Sequence, residues 1–231
     1  MKTQAQDKAQ IGTMFSRIAR RYNLANDILS LGMHRAWKKK ALKILDVKSA
    51  EKFLDLCCGT ADFLLMQGHG IGADLSHMML SEARKRISNP LLCADGEALP
   101  FKEKSLDKVI IGFGIRNIPN VSLALSEIHR VLAPHGRLVI LEFSKPRGKI
   151  FSKIYFFYLN RVLPRIGGWI SKDPEAYQYL ADTIGEFPDG DDFLNLMKLA
   201  SFKNSKMRRL SCGIASIYVG EKGANGQIAN G

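Results

Sequence analysis

A chain of 231 residues, 46% hydrophobic and 24% charged, has the composition of a globular protein with room for one substantial α/β core or two small domains. No run of about 18 uninterrupted apolar residues occurs, which excludes a membrane-spanning helix, and the start MKTQAQDKAQ lacks the apolar centre of a secretory leader. The net charge of +12 is uneven, with eleven Lys/Arg against three Asp in residues 1–50 and seven basic residues without an acidic one from Phe143 to Lys172; such patches favour anionic partners, but a solvated basic surface accounts for them equally.

In chain order, apolar periodicity predicts helices over 11–29 and 34–45, then a first strand at 52–56. That strand, KFLDL, runs into CCGTADF, a tight turn with Gly59 as its only glycine, and a short helix over 61–67. A second strand at 70–74 ends in Asp74, before a helix over 76–87. A third at 91–94 ends in Asp95-Gly96. A fourth strand at 107–113 leads to FGIRNIPN and a helix over 121–132, whose Leu125, Ile128, His129 and Leu132 share one face, with Pro134 and Gly136 as breakers. The fifth strand is 137–143. The aromatic, basic segment 150–170 follows, then helices over 174–184 and 190–199 and strands at 205–210 and 214–220, joined by a few residues around Cys212-Gly213. The tail 223–231, GANGQIANG, has no apolar face and reads as disordered.

Alternating βα units with short, nearly all-apolar strands predict an α/β fold with a doubly wound, mainly parallel sheet covered on both faces. The short last connection predicts a reversed C-terminal hairpin, which a dehydrogenase sheet lacks. Cys57, Cys58, Cys93 and Cys212 form no CxxC pair and read as reduced, buried thiols. The five histidines show no ligand spacing such as HExxH, so no metal is predicted.

Ligands of doubly wound sheets bind beyond the carboxyl ends of the strands. Three acidic residues stand there. Asp55 precedes the Gly59-Thr60 turn, whose backbone N–H groups suit an acceptor. Asp74 can accept from both hydroxyls of a ribose, and Asp95, next to Gly96, from an adenine amino group. Asp after a strand is also a common helix N-cap, and Asp74 before Ser76 admits that reading. A diphosphate requires several glycines for close backbone approach, and this loop has one. An adenosine without phosphate, S-adenosylmethionine, fits better.

DLCCGTADF, GADLSHMML and DGEALPF resemble the first three motifs of the class I methyltransferases, whose Rossmann-like fold is a seven-stranded sheet with a reversed last hairpin. From Met14 to Lys222 the chain resembles one branch, the ubiquinone/menaquinone biosynthesis C-methyltransferases. The resemblance rests on RYNLANDILSLGMHRAWKKK, FGIRNIPN, HRVLAPHGRLVILEFSKP and SKDPEAYQYLADTIGEFPDGDDF. Ala61 departs from the family's DLxCGTGD, the interval from Asp62 to Asp74 is short enough to clip the first helix, and Gly112 stands where serine is frequent.

The resemblance implies a single methyltransferase domain over 1–222, with an N-terminal helical substrate-side segment (1–48) and a lid over 145–185. It implies S-adenosylmethionine on Asp55, Gly59, Thr60, Asp62, Asp74, Asp95, Gly96 and Gly112. The methyl acceptor it implies is a ring carbon of a reduced, polyprenylated demethylquinol, such as demethylmenaquinol or a ubiquinol precursor. Arg116, past the fourth strand, would stabilise the phenolate or orient a water, and Asn117 would donate to the same oxygen; loop anchoring is the alternative. Tyr177, and more weakly Tyr22, would line the ring. The expected partners are the prenylated quinol and, through segment 150–170, the membrane surface, with room for a homodimer and no nucleic acid. The family signature begins close to Met1, which favours a cytoplasmic protein. Two alternatives stay open: another small-molecule or RNA methyltransferase, and a non-catalytic subunit whose altered loop no longer holds the cofactor.

Overall fold

Seven strands, β1 (Phe53–Leu56), β2 (Ile71–Asp74), β3 (Leu91–Cys93), β4 (Leu106–Gly112), β5 (Leu132–Phe143), β6 (Lys203–Leu210) and β7 (Ala215–Glu221), form one sheet in the order β3-β2-β1-β4-β5-β7-β6. The computed structural model describes residues 26–27, 30, 32–162, 165 and 174–224. All pairings are parallel except those of β7, which runs antiparallel to both β5 and β6. This is the reversed hairpin that the short connection predicts; Ser211–Gly213 makes the turn, with Cys212 at φ 56°.

Among the described residues the α-helices are α1 (His34–Leu45), α2 (Asp62–Gln67), α3 (His77–Arg84), α4 (Val121–Val131), α5 (Lys149–Phe157), α6 (Pro174–Glu186) and α7 (Asp191–Leu199). Of the predicted helix 11–29, only Asn26 and Asp27, both helical, and no longer stretch lie within the described residues; the tail beyond Ala224 lies outside them, as does Tyr22. Tyr177 falls on α6, but its side chain is outside what is described.

Strand alternation sends Phe53 to one face and Leu54 and Leu56 to the other. The first face carries α1 and α2, packed through Trp37, Ala41, Leu45, Phe63 and Leu64. The second carries α4 and α7, through Leu125, Ile128, Phe193 and Met197. Each large apolar side chain buried in this way stabilises the fold by about 1.5–3 kcal/mol. The edge strand β6 exposes Lys203, Lys206 and Arg208, charges that discourage pairing with another sheet.

Two expectations need correction. β5 begins at Leu132, not 137, because Leu132 pairs with Leu106 before an irregularity leads to the Lys108–Arg137 pairing. Helix α4 therefore passes directly into a strand, and Pro134 and Gly136 sit within its irregular start. The thiols are not all buried: Cys58 is, whereas Cys93 and Cys212 are exposed. Cys93 ends the outermost strand and Cys212 lies in a surface turn.

Candidate active site

The loop between β1 and α2 is built on left-handed backbone at every second residue: Cys57 at φ 56°, Gly59 at 54° and Ala61 at 64°. Ala61 is fully buried and caps α2 from this conformation, which costs a residue with a Cβ about 1–2 kcal/mol relative to right-handed backbone. The Cys57 side chain leaves no room for a Cβ on Gly114. Helix α2 is only six residues long, matching the clipped helix inferred from the short interval before Asp74.

The amides of this loop do not face outward as the sequence suggests. The Cys58 N–H donates to the Ala73 carbonyl at 3.0 Å and the Ala61 N–H to the Cys58 carbonyl at 2.8 Å. The Gly59 N–H donates to Asp74 Oδ2 at 2.8 Å. With β2 alongside, the polar edge of the loop is satisfied by its neighbour strand.

Asp74 also accepts from the Ser76 N–H at 2.9 Å. The cap of α3 is Ser76, which accepts from the Met79 N–H at 3.4 Å, so Asp74 braces the β1–α2 loop instead. Burial raises its pKa, against the pull of these two N–H donors. Asp55 is 1% exposed, and neither of its oxygens has a partner among the described residues. Burial lifts its pKa well above the carboxylate range; Lys38 opposes this, while Asp62 and Asp74 reinforce it. Asp95 accepts from the Glu97 N–H at 2.9 Å. Asp74, Asp55, Glu142 and Asp95 all act electrostatically on the Cys57 thiol, which burial itself pushes up. Four carboxyl groups thus lie within electrostatic reach of Cys57.

Asp62 is placed otherwise. Its two oxygens are held by Lys38 Nζ of α1 and Arg86 Nη1, each at 2.7 Å, and Arg86 also donates to the Thr60 carbonyl at 2.5 Å. Burial opposes ionisation, but the two cations outweigh it and hold Asp62 below its ordinary pKa. Gly112 lies beneath the Phe63 ring: a Cβ there would stand 2.5 Å from a ring carbon, so the glycine admits Phe63 where a serine would not. Gly96 similarly gives way to Ile118, at 2.9 Å.

Arg116 and Asn117 form a turn (Ile115–Asn117) immediately past β4. The Arg116 side chain is 2% exposed and its Nη1 donates to Glu142 Oε1 and to the Phe113 carbonyl, both at 2.7 Å. Its guanidinium lies over the Phe143 ring at 5.5 Å. Arg116 Nε and Asn117 Oδ1 are buried and have no partner among the described residues. Burial raises the pKa of Glu142, and Arg116 opposes it.

A model of the ubiE/COQ5 methyltransferase family matches residues 2–222. The chain belongs to that family. A relative from Ruegeria sp. (strain TM1040), named ubiquinone/menaquinone biosynthesis C-methyltransferase UbiE, is 40% identical over 90% of this chain and 89% of its own length. The demethylmenaquinone methyltransferase of Staphylococcus haemolyticus (strain JCSC1435) is 37% identical over 93% and 95%. Among solved structures, a SAM-dependent methyltransferase from Thermotoga maritima aligns over 92% of this chain and 99% of its own, with a TM-score of 0.67 at 19% identity; the fold is that of the class I methyltransferases.

S-adenosylmethionine, the cofactor of this methyltransferase family, fits the residues present. It is cationic at sulfur, and four carboxyl groups lie within electrostatic reach of Cys57 in the loop. Asp55 is a buried carboxyl without a partner among the described residues, and each Asp74 oxygen keeps a lone pair beyond the N–H it accepts. Sequence reasoning missed Glu142 and Lys38. Both carried a signal: a carboxylate inside the apolar run LVILEF, and a lysine on the same face of α1 as Trp37, Ala41 and Leu45.

Proposed function

We propose that the protein methylates a ring carbon of a reduced, prenylated demethylquinol in respiratory quinone biosynthesis. The observation that carries this reading is the turn Arg116–Asn117, with two buried polar atoms that have no partner among the described residues, beside the β1–α2 loop and its nearby carboxyls in a family of this activity. S-adenosylmethionine, when bound, supplies a methyl group on a sulfonium, a good leaving group. Asp74 would accept from ribose hydroxyls through its remaining lone pairs, Asp95 would take the adenine side, and Asp55 would balance the positive end. Gly59, Thr60, Gly96 and Gly112 shape the bed, and Asp62 acts from behind it through Lys38 and Arg86. The segment 145–185 is proposed as the lid and Tyr177 as a residue for the ring.

The chemistry demanded of the protein lies on the acceptor. An aromatic carbon is a weak nucleophile until a ring hydroxyl loses its proton and pushes charge to the adjacent carbon. Arg116 Nε–H, free of protein partners among the described residues, would donate to that oxygen; the guanidinium stays protonated and removes no proton itself. Asn117 would hold the same edge of the ring in line. The relatives' names cover both naphthoquinone and benzoquinone products, and the naphthoquinol is the acceptor proposed here, used at the surface of the membrane that carries it. Among the described residues no helix is long and apolar enough to cross that membrane.

Truncating Arg116 is a poor test, because it strands a fully buried Glu142 at a cost of about 3–5 kcal/mol. Redox state is a cleaner variable. Label from S-adenosylmethionine is expected in demethylmenaquinone only after dithionite reduction. Equal labelling of the oxidised ring would overturn the phenolate mechanism, and no label in any quinol would overturn the activity.

A further inference from the structure

Helix α5 has two apolar faces, and the core uses only one. On the inner side, Tyr155 and, one turn on, Leu159 are 5% and 0% exposed and join the cluster containing Phe113, Phe143 and Ile184. On the other side Ile150, Ile154 and Phe157, spaced i, i+4, i+7, are 78%, 60% and 64% exposed. Phe151 is also partly exposed next to them. Contiguous apolar stripes of this kind mark a surface that is covered in use.

Charge selects what covers it. Arg147, Lys153, Arg161 and Arg165 are exposed around the stripe, and no acidic residue occurs from Phe143 to Lys172. A second copy of the chain, meeting this face through a two-fold axis, would set cation against cation. An anionic lipid surface offers what the face lacks: hydrocarbon for the stripe and negative headgroups for its rim.

We propose that α5 docks on an anionic bilayer, with Ile150, Ile154 and Phe157 entering the acyl boundary and Arg147 and Lys153 meeting the headgroups. This rests on the reading of the substrate as a prenylated quinol and names where that substrate is collected. The inner side of the same helix carries Tyr155, whose buried hydroxyl has no partner among the described residues and lies within the field of Arg116. A head group drawn from the bilayer past α5 therefore arrives beside the turn assigned to catalysis.

The test is flotation of the full chain with phosphatidylcholine vesicles, with and without phosphatidylglycerol, for the wild type and an Ile154→Asp/Phe157→Asp variant. Both positions are exposed and outside the cofactor-side residues, so the variant is expected to keep the wild-type melting temperature and S-adenosylhomocysteine affinity, which shows that any loss of flotation is not a loss of fold. Wild type is expected to float with phosphatidylglycerol vesicles only, and the variant to lose about tenfold in bound fraction. No flotation of the wild type, or equal flotation on both vesicles, overturns the proposal. So does a dimer in light scattering that the variant abolishes while flotation stays unchanged. Lipid binding as expected, with no turnover of any quinol, leaves the docking standing and removes the methyltransferase reading.

Discussion

Folding takes the Asp55 carboxyl out of water and gives it no hydrogen-bond partner among the described residues. The protonated form is therefore favoured in the native state, and its pKa rises above the ordinary carboxylate value. Between that value and the raised one, the folded chain holds a proton that the unfolded chain has lost. Stability consequently falls as pH rises through this window, by about 1.4 kcal/mol for each pH unit it spans. Asp55→Asn keeps the shape and cannot ionise. In the apo protein the variant is expected to match the wild type near pH 4 and to gain on it progressively toward neutrality, as read by thermal melts across pH. A difference that does not change with pH would mean that Asp55 has a partner that compensates its charge. The sequence shows the acid at the strand end, but not that the residue is unpaired. That property depends on which face of β1 it occupies and on how closely α1 covers it.

At the scale of elements, the short apolar strands and the periodic helices were legible, because each element's pattern is local and its burial two-sided. Cross-element partners were not. Asp62 reads as a cofactor residue from its place in DLCCGTADF, yet its oxygens meet Lys38 and Arg86, which come from 24 residues before it and from just past the end of α3. Likewise Gly112, at the end of the fourth strand, reads as a cofactor residue standing where serine is frequent, while its reason for being small is the Phe63 ring of α2. The Lys38–Asp62 pair joins α1 to the base of the cofactor loop, and Trp37 joins the same helix to Ser211 of the hairpin turn at 3.0 Å. Through these two ties the segment preceding the sheet is coupled to the loop. Lys38→Met is expected to cost about 2–3 kcal/mol in urea unfolding, at the low end for a broken buried pair because Arg86 still neutralises Asp62. It should also weaken S-adenosylhomocysteine binding severalfold in calorimetry, with Lys38→Arg restoring most of both. Unchanged affinity at reduced stability would confine the pair to holding α1 in place.

For the whole molecule, the sheet order brings the ends of β1, β2, β3 and β4 to one edge, and the reversed β7 sets this fold apart from a nucleotide-dependent dehydrogenase. The sequence carried that distinction in a single short connection. What it could not weigh is whether a loop with left-handed Cys57 and Ala61, and with its amides at positions 58, 59 and 61 engaged inside the protein, still accepts a cofactor. The arrangement argues that it does: the strain sits in the loop itself, at buried Ala61 and half-buried Cys57, while Asp55 and Asp74 keep acceptor capacity. A ligand that binds only the native state stabilises it by about 2.7 kcal/mol at a hundred times its Kd. For a chain of this length that amounts to a rise in melting temperature of about 5–10 °C. S-adenosylhomocysteine is expected to produce this rise, saturating with concentration, whereas adenosine alone, lacking the charged end, should produce less. If neither moves the melting temperature while the fold is intact, Ala61 has closed the site and the chain is a non-catalytic member of its family. A rise with S-adenosylhomocysteine but none with adenosine would place most of the binding energy on Asp55 and its neighbours and little on Asp74 and Asp95.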